Sequence, residues 1–416
     1  MNICKSICVL GLGLGLIGCA SARRVSEPMS AASLASAGYL KYWEVDLPFE
    51  KGETVREATL VDENLYVTSS RGFFYAVQAE EGLLRWMKDM TRPEYTIYRP
   101  SHLNSASGPG PLCVVTTTKT VLLDRYTGDV LRQFVPEFAP GSGAVGDDTR
   151  LYYGGADGLV HCLSWNHPFG ARPMNRWEVE AGGPVRAAPA LFGDRIIFAS
   201  QGGLIMSLVA FDKGFNWRAR TEDAIIADPW VDAGGVYVAS LDRSLYKFDA
   251  FTGARKWRFR FPRPLTTPPV VTRSTVYQYA PTVGLTAIDA DLGDERWVRA
   301  DAVAFVAMRP GEVVLLTERG TLEAVDGDTG QTIRDLGAMG IGTTVPNVRD
   351  DRIIALTADG KVFCARPDTT PYLRRQQVLA AQDRLESAPN TAQDAPPPPP
   401  APQASSRDPF RSERDN

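Results

Sequence analysis

The sequence has no apolar run long enough to cross a bilayer: the run near its start, Ile7 to Gly18, falls well short of the roughly 20 residues a spanning helix needs. Charge of one sign is not concentrated anywhere. Lys and Arg number 45 against 49 Asp and Glu, a net of -4 spread along the chain, so the basic footprint of a nucleic-acid binder is missing. Cysteine is scarce. Beyond Cys4, Cys8 and Cys19 there are only Cys113, Cys162 and Cys364, each inside a strand-like apolar run, where an isolated thiol behaves as a small hydrophobe and no disulfide framework arises. The histidines are His102, His161 and His167, none at the spacing of a zinc site, and each reads as a bystander. Neither a Gly-x-Ser-x-Gly elbow nor a Gly-x-x-x-x-Gly-Lys loop occurs, which removes two common enzyme classes. The carboxylate pairs Asp147-Asp148 and Asp350-Asp351 read as solvated turn residues.

What is present begins with Lys5, the apolar run to Gly18 and then Cys19, the layout of a secretory signal. Leu16-Ile17-Gly18-Cys19 resembles the bacterial lipobox, which implies cleavage before Cys19 and its acylation by palmitate-class chains. Several acyl chains anchor durably where one holds marginally. Ala20 and Ser21, in place of an Asp after the cysteine, point to the outer membrane, on its periplasmic side. Gly13-x-Gly15-x-x-Gly18 matches the dinucleotide fingerprint by letter, but it falls inside the removed peptide and lacks the strand and helix the motif requires. Residues 19–38 are expected to be a flexible lipidated tether following the signal at 1–18.

The rest of the chain is organised by a repeat. Trp217, Trp257 and Trp297 are spaced by forty residues, and Pro189, Pro229 and Pro269 share that spacing. Extended outward, the register positions are Trp43, Trp86, Arg132, Trp177, Trp217, Trp257, Trp297 and Arg334. Each unit alternates β-branched and aromatic runs with turn residues, as in Val236–Ser240, Leu245–Phe248 and Lys256–Phe259. A fourth, innermost strand is expected around Pro269-Val270-Val271, on an edge where proline is tolerated. Units of about 40 residues with four short strands are propeller blades, which bury their faces only by stacking in a ring. The expected fold is all-β, an eight-bladed β-propeller over 39–368. The last unit lacks an outer strand and Tyr39 to Leu47 lacks the preceding ones, so the N-terminal strand is expected to complete the last blade.

The turn before each outer strand repeats Asp249-x-x-Thr252-Gly253-x-x-x-Trp257, Asp289-x-x-x-Gly293-x-x-x-Trp297 and Asp326-x-x-Thr329-Gly330. These residues resemble the tryptophan-docking repeat of the quinoprotein-type (PQQ-like) propellers, a family holding both pyrroloquinoline quinone alcohol dehydrogenases and BamB-type outer-membrane assembly lipoproteins. The resemblance assigns the Asp, Gly and Trp structural roles. The dehydrogenases grip their quinone with an adjacent cysteine pair and hold calcium in inserted loops; this chain has no Cys-Cys dipeptide and nearly insertion-free blades, so no cofactor and no catalysis are expected. The assembly lipoproteins imply a scaffold that helps outer-membrane β-barrel proteins fold and insert, docked to other subunits of that machinery, with incoming strands guided by edge pairing. The alternative is a periplasmic binding or sensory propeller for cell-wall polymer or another protein complex. Residues 369–416 are expected to hold a short helix, Tyr372 to Glu386, and a disordered tail containing Pro396 to Pro400.

Overall fold

The computed structural model describes residues 28–105, 108–166 and 173–386. Among them are eight four-stranded antiparallel sheets, seven in simple meander order and the eighth completed by a strand from the other end of the propeller, forming its blades. Blades 1 to 7 cover residues 55–89, 101–134, 140–180, 190–220, 230–260, 270–299 and 302–335. Blade 8 takes Thr343–Val345, Ile353–Leu356 and Lys361–Pro367 from the end of the propeller and Tyr39–Asp46 from its beginning.

The period-2 pattern explains why a blade needs neighbours. In the second strand of blade 5, Gly235–Ser240, all six residues are buried. Val236 and Val238 pack with Trp217 and Ile197 of blade 4, whereas Tyr237 and Ala239 pack with Trp257 and with Val271 and Val276 of blade 6. Side chains alternate across a strand, so one blade feeds two cores. The molecule therefore has no single centre of burial among the described residues, but eight interblade cores arranged in a ring. The prolines at 189, 229 and 269 stand one residue ahead of the inner strands Ala190–Phe192, Trp230–Asp232 and Val270–Val271, not within them. A residue that cannot donate thus precedes each strand and removes no ladder bond.

The ring closes through the N-terminal strand, with Tyr39 opposite Pro367, Trp43 opposite Cys364 and Asp46 opposite Lys361. Lys361 Nζ lies 3.2 Å from Asp46 across this seam. The expected tether is different in its described part. Ser30 caps a short helix, Ala31–Ser36, and Met29, Leu34 and Ala37 are buried against blade 7 beside Leu336 and Ala338. These apolar side chains fill a space where the outer strand, Thr332–Asp335, is short and carries no indole. At the other end, a helix spans Arg375–Glu386, with Leu373 against the core between blades 8 and 1 and Ala381 buried. Cys19 and the run Pro396 to Pro400 lie outside the described residues.

Candidate functional site

The repeat residues meet at the junctions between blades. In blade 5 the turn before the outer strand is built by Asp249, whose Oδ1 accepts the backbone N–H groups of Phe251 and Thr252, both at 3.0 Å. Asp289 and Asp326 hold the corresponding N–H groups of Asp291 and Leu292, and of Asp328 and Thr329. Gly253, Gly293 and Gly330 follow at φ of +70°, +79° and +70°. Each lies under the indole of the preceding blade: a Cβ on Gly253 would come within 2.6 Å of Trp217, and Gly293 and Gly330 stand likewise under Trp257 and Trp297. The indole N–H then donates to the carbonyl at the start of the same turn. Trp217 bonds to Ala250 at 3.0 Å, Trp257 to Ala290 at 3.1 Å and Trp297 to Gly327 at 3.0 Å. Trp43 and Trp86 do the same toward Ala79 and Arg125.

Three junctions depart from this plan, two of them for visible reasons. Between blades 3 and 4 the glycine position is Lys213, at φ +59°. Tyr152 donates its hydroxyl to the Ala210 carbonyl at 2.9 Å, and the buried Trp177 N–H has no partner among the described residues. At the seam between blades 7 and 8, Arg334 replaces tryptophan and donates to Ala37 O at 3.1 Å and to Glu312 at 3.2 Å. Gly38, at φ +74°, stands in the glycine position there, and the docking turn is assembled from two distant parts of the chain, with Asp368 N donating to Gly38 O. Arg132, the other departure from tryptophan, lies in the outer strand of blade 2, opposite Leu122.

Two of the histidines that read as bystanders, His102 and His161, are pinned to acids. His102 Nδ1 lies 2.9 Å from Asp62 and its Nε2 2.8 Å from the Tyr66 hydroxyl. Asp62–His102–Tyr66 has the connectivity of a catalytic triad, but Tyr66 is buried and burial pushes its phenol up, which is the reverse of an activated nucleophile. The His102 contact, with help from Asn104 and Arg349, holds the Asp62 carboxyl well below its usual range. Asp62, Glu63 and His102 present ligand atoms within 4.8 Å of one another, yet Arg349 and Arg125 already face the two carboxylates. The cluster ties blades 8, 1 and 2 together. His161 lies between Asp157 at 2.9 Å and Glu178 at 3.1 Å and stacks on Phe138 at 3.6 Å. His167 lies outside the described residues. Cys113, Cys162 and Cys364 are buried and free, and burial pushes the Cys162 thiol up to about 12.

Asp147 caps its turn through the N–H groups of Thr149 and Arg150, while Asp350 and Asp351 pair with Arg352 and Arg366. At the inner rim a cavity of about 290 Å³ is walled by Leu60, Trp230, Tyr279, Val303 and Phe305. Glu57 lines it too, its carboxyl raised by burial, with Arg99 opposing and Asp228 adding to the shift. Sequence reasoning missed the His102 and His161 pins and the Arg334 contact, because each joins residues that no local pattern links. A weak signal existed for the docked segment, where Met29 and Leu34 interrupt a Ser/Ala-rich stretch.

These features define the class: an eight-bladed propeller built from tryptophan-docking repeats. The family described as "Outer membrane protein assembly factor BamB" matches residues 174–300 and 257–398, together more than half of the chain, and the chain belongs to this PQQ-repeat propeller family. The BamB assembly factor of Nitrosomonas eutropha is 26% identical over 162 residues, covering 36% of this chain and 37% of that protein. That of Bordetella pertussis is 22% identical over 238 residues, covering 51% and 61%. Both matches thus span less than two thirds of the relative's length. The crystal structure of BamB from Moraxella catarrhalis superposes with a TM-score of 0.63 at 17% identity, covering 80% of this chain and 99% of that one. The computationally designed Ika8 protein superposes at 0.58 and 15% identity, covering 77% and 98%, so the likeness to both structures is one of fold.

Proposed function

We propose that this chain is a non-catalytic, lipid-anchored scaffold on the periplasmic side of the outer membrane, assisting assembly and insertion of β-barrel proteins through protein partners. Membership of the BamB family carries the reading. The geometry supports it, since the repeat's Asp side chains hold the turns, its Gly residues leave room for the indole, its Trp side chains join blade to blade, and the Asp62–His102–Tyr66 chain ends on a buried phenol. Shared fold alone would not separate a scaffold from a quinone enzyme.

The deciding experiment is purification of the full chain from gently solubilised membranes. Subunits of the barrel-assembly machinery are expected in stoichiometric amounts; peptidoglycan or an unrelated complex in their place would overturn the reading. Anchorage is tested separately. Cys19→Ser should remove the acyl mass and release the protein from the membrane or stall its precursor, and mature protein of unchanged mass still in the membrane fraction would exclude the lipid anchor. Mixed with pyrroloquinoline quinone and calcium, the protein should neither retain the quinone nor oxidise alcohols.

A further inference from the structure

The cavity at the inner rim is walled from the inner strands of several blades at once. Glu57 and Leu60 belong to blade 1, Trp230 to blade 5, Val270 to blade 6, Phe305 to blade 7 and Val345 to blade 8. The ring thus converges on one space of about 290 Å³. An apolar cavity of about 150 Å³ takes up benzene, so this one has room for a ring with a short chain attached. Trp230 is not one of the docking tryptophans. It follows Pro229 at the place that Ala190 takes after Pro189 and Val270 after Pro269, so starting an inner strand does not require an indole. Its N–H is held by Asp232 at 3.0 Å, and Trp230 and Tyr279 are both only half-buried where they line the cavity.

Charge beside this space is unbalanced. Arg99 stands just before Pro100 in blade 2 and Asp228 just before Pro229 in blade 5, and their side chains meet at 3.6 Å. Asp228 Oδ1 also accepts the N–H of Ala188 at 2.7 Å. Glu57 is a second carboxylate beside the same pair. Burial raises it, Arg99 works against that and Asp228 adds to it, and among the described residues no group donates a hydrogen bond to its carboxylate. Two carboxylates therefore share one guanidinium, which leaves one negative charge in excess at an aromatic wall.

The geometry points to a binding site for a small organic cation, with an ammonium head at Glu57 and an apolar body of about one ring against Trp230 and Tyr279. The head supplies the donors that the Glu57 carboxylate lacks, and the aromatic rings attract its charge. A neutral ligand of the same shape would leave that carboxylate unpaired, and an anion would meet it at close range. The inference stands on the cavity and its charges and not on the assembly role.

Three probes that share a ring and a two-carbon chain and differ only in the head test it: phenethylammonium, phenethyl alcohol and hydrocinnamate. Calorimetric titration of the purified full-length protein should rank them in that order. The ammonium should bind about tenfold more tightly than the alcohol, the gap between a charge-assisted and a neutral hydrogen bond. Glu57→Gln should bring the ammonium down to the level of the alcohol, Trp230→Leu should weaken the ammonium more than the alcohol, and Val303→Trp should fill the cavity and weaken both. Glu180→Gln, which removes an exposed carboxylate from the outer strand of blade 3, should change nothing. Melting curves confirm folding of each variant, and the ranking by the parent chain needs no variant at all. Undetectable ammonium binding, equal affinity for the three heads, an ammonium affinity that survives Glu57→Gln, or an equal loss with Glu180→Gln each overturns the site.

Discussion

At the scale of single residues, one left-handed position explains two opposite outcomes. Gly253 N donates to Asp249 O at 2.9 Å, and Lys213 N donates to Val209 O at 3.0 Å, so the two residues hold the same place in successive turns. Gly253→Ala forces a Cβ to within 2.6 Å of the Trp217 indole at φ +70°. A left-handed side chain costs about 1–2 kcal/mol before any clash, so a loss of about 2 kcal/mol or more is expected. Lys213→Gly relieves the same strain and should gain up to about 1 kcal/mol, part of which is offset by the larger unfolded-state entropy of glycine. Denaturant midpoints at unchanged slope measure both. A Lys213→Gly protein less stable than the parent would show that Lys213 has a favourable contact outweighing its backbone.

At the scale of the turn and its strands, the docking aspartates make the fold sensitive to acid. The backbone N–H of Leu292, with Arg296 and the N–H of Asp291, lowers the Asp289 carboxyl to about 2, and the Lys256 ammonium does the same in direction for Asp249, as the Thr329 hydroxyl does for Asp326. Folded values below the unfolded ones mean that the unfolded chain binds more protons at low pH. The contribution is fully present above about pH 4–5 and is lost as pH falls through the folded values toward 2. Melting midpoints should hold level down to about pH 5 and then fall, and Asp289→Asn should start lower at neutral pH and fall less. An equal slope in parent and variant would remove Asp289 from the cause. These turns were legible in the sequence because the repeat is local: Asp, Gly and Trp lie within nine residues, and forty-residue spacing exposes the register. Blade count and the strand shared by both ends were legible for the same reason. The segment against blade 7 left only a weak trace, Met29 and Leu34 in a Ser/Ala-rich stretch, and the Tyr152 hydroxyl displacing Trp177 and the acids beside His102 and His161 left none, since they depend on which residues meet across strands and blades and no local pattern encodes that.

At the scale of the whole molecule, the seam is as deeply built as any other junction. Trp43 is 7% exposed and Trp257 9%, and each indole donates to the next blade at 3.1 Å. Trp43→Ala and Trp257→Ala should each cost about 3–5 kcal/mol, although residues near a chain terminus usually tolerate change. Thermal melts of the two variants side by side decide it, and a parent-like midpoint for Trp43→Ala alone would mean that the N-terminal strand does not close the ring. The same seam sets a clock. Tyr39 pairs with Pro367, so the first strand of the propeller to be synthesised waits for the last. At about 5–20 residues per second, the wait is on the order of half a minute. During the wait Trp43, whose docking turn at Ala79 and Gly82 belongs to blade 1, has no sheet to join, and blade 1 has no finished neighbour on one side. The ring therefore cannot ratify its own beginning until its end arrives, and a nascent chain stopped short of Lys361 should remain protease-sensitive at Tyr39–Asp46 however well its middle blades have stacked.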